Sequence, residues 1–266
     1  MQRAVTYLVE PPKEFSPIWE LPGREVSSDR GRLFKAPGIM IRAEEATIMV
    51  VSVVGQDFRI PHWVRNLRSF RRWARSPEFP QHGRFSFLDG NLMVDVSMEK
   101  LVHNLIKSCI CGFLTVLVKQ EELGTFVTDR MLLSNIRAEL STEPDGMFWT
   151  RDTRDAGRVR LIKRKESVEV LGSPDMTLEV ISASSVEKDT VLLPRQYWLA
   201  KVPEFWLVDS RDESPRIEIF QRGKSKYVAA RTSGKWVESV VFGRWFRLVS
   251  RANDPDDPNF VLEMKA

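Results

Sequence analysis

Residues 172–182 read GSPDMTLEVIS and residues 204–209 read EFWLVD, and these two runs decide the fold class. Each is a short apolar run that follows a turn signal, which is typical of a strand. The spacing of apolar residues over 186–200, between the two runs, predicts a helix. Two strands joined through a helix of this length cross over in the right-handed sense and pair in parallel. The segment therefore predicts a parallel strand pair inside a larger sheet.

Upstream of this unit, residues 84–96 read RFSFLDGNLMVDV and contain two strand-like runs around Asp89-Gly90. This dipeptide favours a type I′ hairpin turn, because both central residues of that turn need positive φ. Residues 98–117 change to a helical period and predict a mostly covered helix. Further strands are expected at 124–128 and 146–149.

These elements predict one α+β domain in which a mixed sheet is flanked by helices. Residues 1–60 are expected to be an N-terminal extension, broken by prolines in its first part and contributing one strand at 47–54. The domain itself should span 61–266. Its core is expected at about 84–210, followed by a β-rich C-terminal part over 211–266.

The composition of the 266 residues, 42% apolar and 29% charged, is typical of a globular protein and excludes a disordered or fibrous chain. Cys109 and Cys111 lie in the apolar run 109–118, where we expect buried thiols and no disulfide. Free cysteines favour a reducing, cytoplasmic location. The run is about half the ~20 residues that a membrane-spanning helix needs. We therefore expect no membrane span, and the N-terminus predicts no export signal.

Lys and Arg outnumber Asp and Glu by 40 to 36, which permits a polyanionic partner without requiring one. Arginines are concentrated in two segments of the sequence. Residues 63–75 predict an amphipathic helix with a basic face, for which solvated arginines are the alternative to a phosphate backbone. The basic stretch 151–165, RDTRDAGRVRLIKRK, lies between the strands at 146–149 and 176–181 and is the better candidate for holding a phosphate backbone.

Two acidic residues are candidates for chemistry. Asp145 follows Pro144 at the start of a strand, and Glu179 lies within the strand MTLEVI, on the same face as Ile181. A carboxylate among buried apolar side chains must be paired, protonated or bound to a metal. Two such groups on adjacent strands would hold a divalent cation, which can activate water against a phosphodiester. The alternative is that Glu179 pairs with an arginine and that Asp145 merely ends a loop.

The motifs occur in an order that resembles a known family. FSFLDGNLMVDVS with His103, then STEPDGMFW, GSPDMTLEVISASS, Asp189, Tyr197 and VPEFWLVD resemble the Uma2 family (DUF820). This is a bacterial group with the PD-(D/E)xK restriction-endonuclease-like fold. The resemblance extends from about residue 84 to at least residue 209.

The resemblance implies an endonuclease that hydrolyses DNA with Mg²⁺ or Mn²⁺ held by Asp145 and Glu179. His103 matches the family's helix histidine, with Glu99 one turn earlier, although a histidine on an apolar helix is also a common core residue. Weaker candidates, each at the end of a strand-like run, are Asp95 and Asp129.

The catalytic lysine of the fold is missing at both usual positions. Two residues after the Glu stands Ile181, and four residues after Asp189, where Uma2-like chains often have a Lys, stands Leu193. Lys188 is the candidate substitute. On an α-helix Lys188 and Leu193 would point about 140° apart, so Lys188 would need its long stem to reach the same site. The alternative is that Lys188 is an ordinary surface lysine.

Two functions therefore remain open. The first is a Mg²⁺- or Mn²⁺-dependent DNA endonuclease, assembled as a homodimer if both strands of a duplex are cut by a symmetric pair. The second is a catalytically inactive nuclease-fold protein that binds nucleic acid or a protein partner. The missing lysine is the chief support for the second.

Overall fold

The computed structural model describes residues 39–42, 48–53, 56–163, 166–211, 215–251 and 258–266. Most of the predicted N-terminal extension, residues 1–38, lies outside the described residues. So do Arg164 and Lys165 of the basic stretch. The domain boundaries predicted from the sequence stay a prediction.

The secondary structure is dominated by strands. In chain order the strands are β1 (Ile39–Arg42), β2 (Ile48–Val53), β3 (Gln56–Pro61), β4 (Arg84–Leu88), β5 (Asn91–Asp95), β6 (Gly124–Thr128), β7 (Leu132–Asn135), β8 (Leu140–Thr142), β9 (Gly146–Thr150), β10 (Val159–Leu161), β11 (Glu169–Gly172), β12 (Met176–Ile181), β13 (Glu204–Asp209), β14 (Arg216–Arg222), β15 (Tyr227–Ala229), β16 (Thr232–Ser233), β17 (Trp236–Ser239), β18 (Arg244–Ser250) and β19 (Phe260–Lys265). The helices are α1 (Leu67–Ala74), α2 (Leu101–Gln120), α3 (Arg151–Asp155) and α4 (Leu193–Leu199), the last preceded by a π-helical segment, Lys188–Leu192.

The mixed sheet predicted from the sequence is present. Its strand order is β15-β14-β13-β12-β9-β6, and β12 and β13 pair in parallel over their full length, as GSPDMTLEVIS and EFWLVD predicted. The other neighbouring pairs are antiparallel. β12 is therefore a central strand whose two faces are both covered.

The two faces of β12 pack into different parts of the core, because side chains alternate along a strand. Leu178 and Val180 pack in one cluster with Ile110 of α2. Ile181 packs in a second cluster with Leu193 and Tyr197, on the side of α4. Since Glu179 shares the face of Ile181, its carboxyl group is directed toward α4. The predicted alternation in this strand is confirmed.

A second sheet of six strands, in the order β10-β11-β7-β8-β4-β5, adds to the architecture. The predicted hairpin forms its β4-β5 edge, with positive φ at Asp89 (50°) and Gly90 (84°) as a type I′ turn requires. The sequence pattern missed β7, β8, β10 and β11. These strands have only three or four residues each, too few to show a clear period. In β7 and β8 buried hydroxyls replace apolar side chains, and Ser134 Oγ lies 2.8 Å from Ser141 Oγ.

Two smaller sheets complete the described part. β16 to β19 form a four-stranded antiparallel sheet, in agreement with the predicted β-rich C-terminal part. β1, β2 and β3 form a three-stranded antiparallel sheet before the domain. The prediction of a single strand in this region was therefore wrong, because only the run at 47–54 carries the β-branched pattern that a sequence reading detects.

The long helix α2 lies in the core. By length and composition alone it could cross a membrane, but 44% of its most apolar window is buried inside the fold, where the helix contacts β6, β12 and β19. Cys111 is buried and Cys109 is half-buried, and both are free thiols. The prediction of packed cysteines without a disulfide is confirmed.

Candidate active site

A cavity of about 30 Å³ opens where β12 ends, between the start of α2 and the π-helical segment. This volume holds one or two water-sized species. We call it the acidic cavity. Its lining includes five carboxyl groups, two cationic groups and a histidine: Asp95, Glu99, Asp145, Glu179, Asp189, Arg84, Lys188 and His103. The four residues predicted as catalytic therefore line one space.

Asp145 is 2% exposed and lies on the turn that enters β9. Its Oδ2 accepts a hydrogen bond of 2.8 Å from the backbone N–H of Val180, which fixes the carboxyl group beside β12. Its Oδ1 lies 3.3 Å from Arg84 Nη1 and 3.7 Å from Lys107 Nζ. The interpretation that Asp145 merely ends a loop does not describe these contacts.

Glu179 is also 2% exposed, and its Oε1 accepts a hydrogen bond of 2.5 Å from the hydroxyl of Tyr197. Burial raises the pKa of Glu179 well above its usual range, and although Lys188 opposes this shift, the nearby Asp189 and Asp145 add to it. The predicted alternative, an arginine partner, is replaced by a tyrosine on α4. The raised pKa means that the carboxyl group holds a proton in the metal-free protein, and a divalent cation bound beside it would displace that proton.

Lys188 reaches the acidic cavity because the helix is wound as a π-helix at this point. The backbone N–H of Leu193 donates to the carbonyl of Lys188, five residues earlier. This bonding brings the two side chains closer to one side of the helix than the 140° of an α-helix. Pro194 has no N–H to donate to the carbonyl four residues before it, which is a common cause of such a bulge. The α-helical geometry assumed from the sequence was wrong here.

The Lys188 side chain is only 13% exposed, and its Nζ lies 3.3 Å from Oδ1 of the buried Asp189. Burial by itself lowers the pKa of Lys188, but Asp189, Glu179 and Asp145 outweigh it and raise that pKa. Lys188 therefore stays protonated at neutral pH, and the interpretation as an ordinary surface lysine does not fit its burial.

Two cations that the sequence reading missed lie among the remaining carboxylates. Arg84, at the start of β4, forms ion pairs with Glu99 and, at 3.3 Å, with Asp129. Lys107 Nζ lies 2.7 Å and 2.8 Å from the two oxygens of Glu99 and 2.8 Å from Asp129. The neighbouring His103, followed by Lys107 and Arg84, holds the pKa of Glu99 well below its usual range.

His103 is buried, and both of its ring nitrogens lack a hydrogen-bond partner within the described residues. Nε2 lies 3.7 Å from Glu99 Oε1, which is longer than a hydrogen bond. One ligand atom each from Glu99, His103 and Asp145 lies within 4.8 Å of the other two. A buried imidazole beside two carboxylates provides donor atoms that suit a divalent cation.

These residues fit the divalent metal that the fold implies. Five carboxyl groups and two cationic groups line the acidic cavity, so oxygen ligands outnumber the cations that compete with a metal ion. The ring nitrogens of His103, which have no hydrogen-bond partner in the part of the chain that the structure describes, offer a further ligand atom. The three-residue set contains Asp145 but not Glu179, so the predicted pair of metal ligands, Asp145 and Glu179, stays a prediction.

A comparison with protein-family models finds a match over residues 67–250, to the model described as "Uma2: Putative restriction endonuclease". The chain belongs to the Uma2 family. The Uma2 match covers every residue named in the acidic cavity.

A solved structure agrees with this assignment of the fold. The Uma2 domain resembles the crystal structure of a "putative nuclease belonging to DUF820" from Anabaena variabilis ATCC 29413, with a TM-score of 0.51 and 15% sequence identity. The similarity covers 67% of this chain and 90% of that one. A comparison with curated proteins found no match.

The basic segments of the Uma2 domain are only partly as predicted. In α1, Arg71 is buried, and Arg71 and Arg75 both pair with the buried Glu169. Arg72 stacks 4.0 Å above Trp63. The pairs with Glu169 tie α1 to β11, whereas Arg65, Arg68 and Arg72 of the predicted basic face are exposed. In the stretch 151–165, predicted as a cationic excursion, the chain forms α3 and β10.

Proposed function

We propose that this Uma2 protein is a divalent-metal-dependent endonuclease that hydrolyses phosphodiester bonds of DNA. The observation that carries the proposal is the convergence of Asp145, Glu179 and Lys188 on one small cavity with His103, whose ring nitrogens have no hydrogen-bond partner among the described residues. Membership of a family whose model is described as "Putative restriction endonuclease" supports the same reaction class. A nuclease-like fold supports nucleic acid as the partner.

The residues of the acidic cavity have different roles in the proposed reaction. Glu99, His103 and Asp145 would hold the cation, and Glu179, which contacts Tyr197 of α4, lines the same cavity. Lys188 presents a buried positive charge next to Glu179, where it can neutralise a phosphate oxygen or orient an attacking water. A bound divalent ion supplies Lewis-acid stabilisation of the phosphate charge.

The donor set bears on the identity of the ion. Mg²⁺ prefers oxygen ligands alone, whereas imidazole suits first-row transition metals. Because the set includes His103, we expect Mn²⁺ to bind more tightly than Mg²⁺. Isothermal titration calorimetry of both ions against the metal-free protein measures this difference.

The function is tested by incubating the full chain with supercoiled and linear DNA in Mn²⁺, in Mg²⁺ and in EDTA. The expected result is cleavage in the presence of either ion and none in EDTA. Wild-type protein that binds no divalent ion and cleaves neither substrate would contradict the proposal.

Substitution of Arg84 should strengthen divalent-ion binding, whereas substitution of a metal ligand weakens it. Its guanidinium contacts Glu99, Asp129 and Asp145 and so acts as an internal counter-cation for two residues of the ligand set. Removing one positive charge at this distance, in a partly exposed site, should tighten divalent binding by about tenfold. We expect this for Arg84→Gln by calorimetry, with Arg195→Gln as a distant control because Arg195 pairs with the exposed Asp89. Weaker binding in Arg84→Gln would mean that the guanidinium organises the site instead.

The second candidate function is a nuclease-fold protein that binds nucleic acid without cutting it. The ion pairs of Arg84 and Lys107 favour it, because both cations already neutralise part of the carboxylate cluster. DNA binding in EDTA together with no heat of Mn²⁺ binding would select this function over hydrolysis.

A further inference from the structure

A second, larger cavity lies at the other end of the helix that carries Lys188. It has a volume of about 490 Å³ and is formed by the turn after β7, the segment around β10 and β11, and the chain that leaves α4. We call it the basic groove. Lys188 lines the acidic cavity and Lys201 lines the basic groove. Since the chain between them is almost entirely helical, the backbone positions of Lys188 and Lys201 lie roughly 18 Å apart along the helix.

The basic groove is lined by four exposed cationic residues, Arg137, Arg158, Arg160 and Lys201, and by no carboxylate among the residues described around it. Arg158 is partly neutralised by Asp175, 3.3 Å away. Among the described residues, none forms a hydrogen bond or ion pair with the side chains of Arg137, Arg160 or Lys201. Like charges that converge without counter-charges create a positive potential, which attracts an anion.

The floor beneath these cations is rigid. Asn135 is buried, and its Nδ2 donates to the carbonyls of Gly172, at 3.0 Å, and Ala200, at 3.3 Å. Ser173 Oγ donates to the same carbonyl of Ala200 at 2.5 Å. These bonds join the ends of β7, β11 and α4, the elements next to the cationic residues. Because the backbone beneath the cationic side chains is already held in place, little conformational entropy of the backbone is lost when a ligand binds.

The shape of the basic groove favours an extended anion with apolar portions. Arg158 and Arg160 flank the buried Val159, so their side chains lie on one side of the strand, about 6.6 Å apart. Ile136 and Leu199, which are 58% and 38% exposed, contribute apolar surface to the same groove. A phosphodiester backbone offers an anion at every repeat with apolar sugar faces between. Guanidinium forks match its phosphates in geometry.

We infer that the basic groove binds the phosphodiester backbone of DNA at a distance from the bond that is cut. This inference rests on the proposed function for its choice of polyanion. One turn of B-form DNA extends about 34 Å, so a single duplex is long enough to reach from the basic groove to the acidic cavity. The basic groove would thus supply affinity and register, while the acidic cavity supplies the chemistry.

The test measures binding without cleavage. Fluorescence anisotropy of a labelled 20-base-pair duplex is recorded in EDTA over a range of salt concentrations, for wild type and for the triple variant Arg137→Gln, Arg160→Gln, Lys201→Gln. A matched triple variant, Lys119→Gln, Lys224→Gln, Lys235→Gln, removes the same charge at exposed positions outside the basic groove. Circular dichroism and thermal melting establish that all three proteins are folded.

We expect the groove variant to bind DNA at least tenfold more weakly than wild type. The slope of log K against log salt should fall by about 2 to 3, because each lost phosphate contact removes about 0.9. The matched variant should change the slope by less than one. Equal losses in both variants, or no loss in the groove variant, would overturn the inference. So would a poly-glutamate peptide that binds the groove as tightly as DNA at the same salt concentration.

This experiment separates the two proposals. Wild type that binds DNA through the basic groove but never cleaves it supports the groove and contradicts the proposed hydrolysis. Cleavage by the groove variant with an unchanged KM for DNA contradicts the groove and leaves the hydrolysis intact.

Discussion

The Glu179→Gln variant is expected to lose at least ~10³-fold in the rate of DNA cleavage while it remains folded, a loss of about 4 kcal/mol in transition-state stabilisation. The reason is that Gln keeps the shape of the side chain and an oxygen that accepts from Tyr197, but it cannot ionise and so offers no negative charge to a bound cation. The measurement is the single-turnover rate in saturating Mn²⁺. Glu218→Gln on β14, which changes an exposed carboxylate, is the matched control.

The same substitution should have the opposite effect on stability. Burial raises the pKa of Glu179, so the folded state holds its proton more tightly than the unfolded state does. Such a group contributes no penalty below its usual pKa of 4.5, and the wild-type protein loses stability as the pH rises from there toward the raised pKa. The loss is at most about 1.4 kcal/mol per pH unit, and Glu179→Gln should not show it.

Urea denaturation of the metal-free proteins in EDTA, from pH 4 to pH 8, measures this difference. Glu179→Gln should be as stable as wild type at the lowest pH and more stable at the highest. A variant that loses both activity and stability at every pH would assign Glu179 a structural role and remove it from the proposed mechanism.

The central sheet was predictable because its signals are local. The strand, helix and strand over 172–209 and the Asp89-Gly90 turn each depend on a few residues whose type fixes a conformation. The mixed sheet, the parallel pair and the burial of Glu179 followed from them. The second six-stranded sheet was not predictable in the same way, because β7 and β8 are held by register and by hydroxyl pairs such as Ser86–Thr142 rather than by apolar periodicity.

The site was predictable in its carboxylates and less so in its cations. Asp145 and Glu179 stand out because buried acids are rare, whereas Arg84 and Lys107 are of residue types that usually face solvent. One signal was present in the sequence. His103 and Lys107 are spaced by four residues and so share one side of α2, and Glu99 stands four residues before His103, just ahead of the helix. Their convergence with β4 and β9 required the tertiary structure.

The winding of the helix at 188–192 was also beyond a sequence reading. Pro194 signalled a disturbance, but its form depends on how α4 packs. The π-helical segment moves Lys188 toward the side of the helix on which Leu193 lies. The absence of a lysine at position 193 is therefore weaker support for an inactive protein. The family pattern expects a lysine at a fixed position in the sequence, which here is Leu193. It therefore misses Lys188, which reaches the cavity because the helix is locally a π-helix.

Two buried lysines are now candidates for the chemistry, and their partners distinguish them. Lys107 lies within 2.8 Å of Glu99 and Asp129, so its ammonium hydrogens are engaged inside the protein. Lys188 pairs with Asp189 at 3.3 Å and lines the acidic cavity, so it retains hydrogens for a substrate. Lys188 is thus suited to contact a phosphate, whereas Lys107 is suited to hold carboxylates in position.

Accordingly, Lys188→Met is expected to lower kcat for DNA cleavage by about 10²- to 10³-fold with a smaller change in KM, because it removes a charge that acts on the transition state. Lys107→Met should keep kcat within about tenfold of wild type but lower the melting temperature, since Glu99 and Asp129 lose a buried partner. Both are measured at saturating Mn²⁺, below the melting temperature of each protein. Lys188→Arg, which keeps the charge, should retain part of the activity.

Loss of the Lys188 ammonium leaves the buried Asp189 without its cation, so Lys188→Met alone is at risk of unfolding. The double variant Lys188→Met, Asp189→Asn removes the stranded charge and should restore the melting temperature without restoring kcat. If the double variant recovers wild-type activity, the lysine is a counter-ion for Asp189 and nothing more. If Lys107→Met shows the larger loss of kcat at full folding, the catalytic cation is on α2, and the π-helical segment is only a consequence of Pro194.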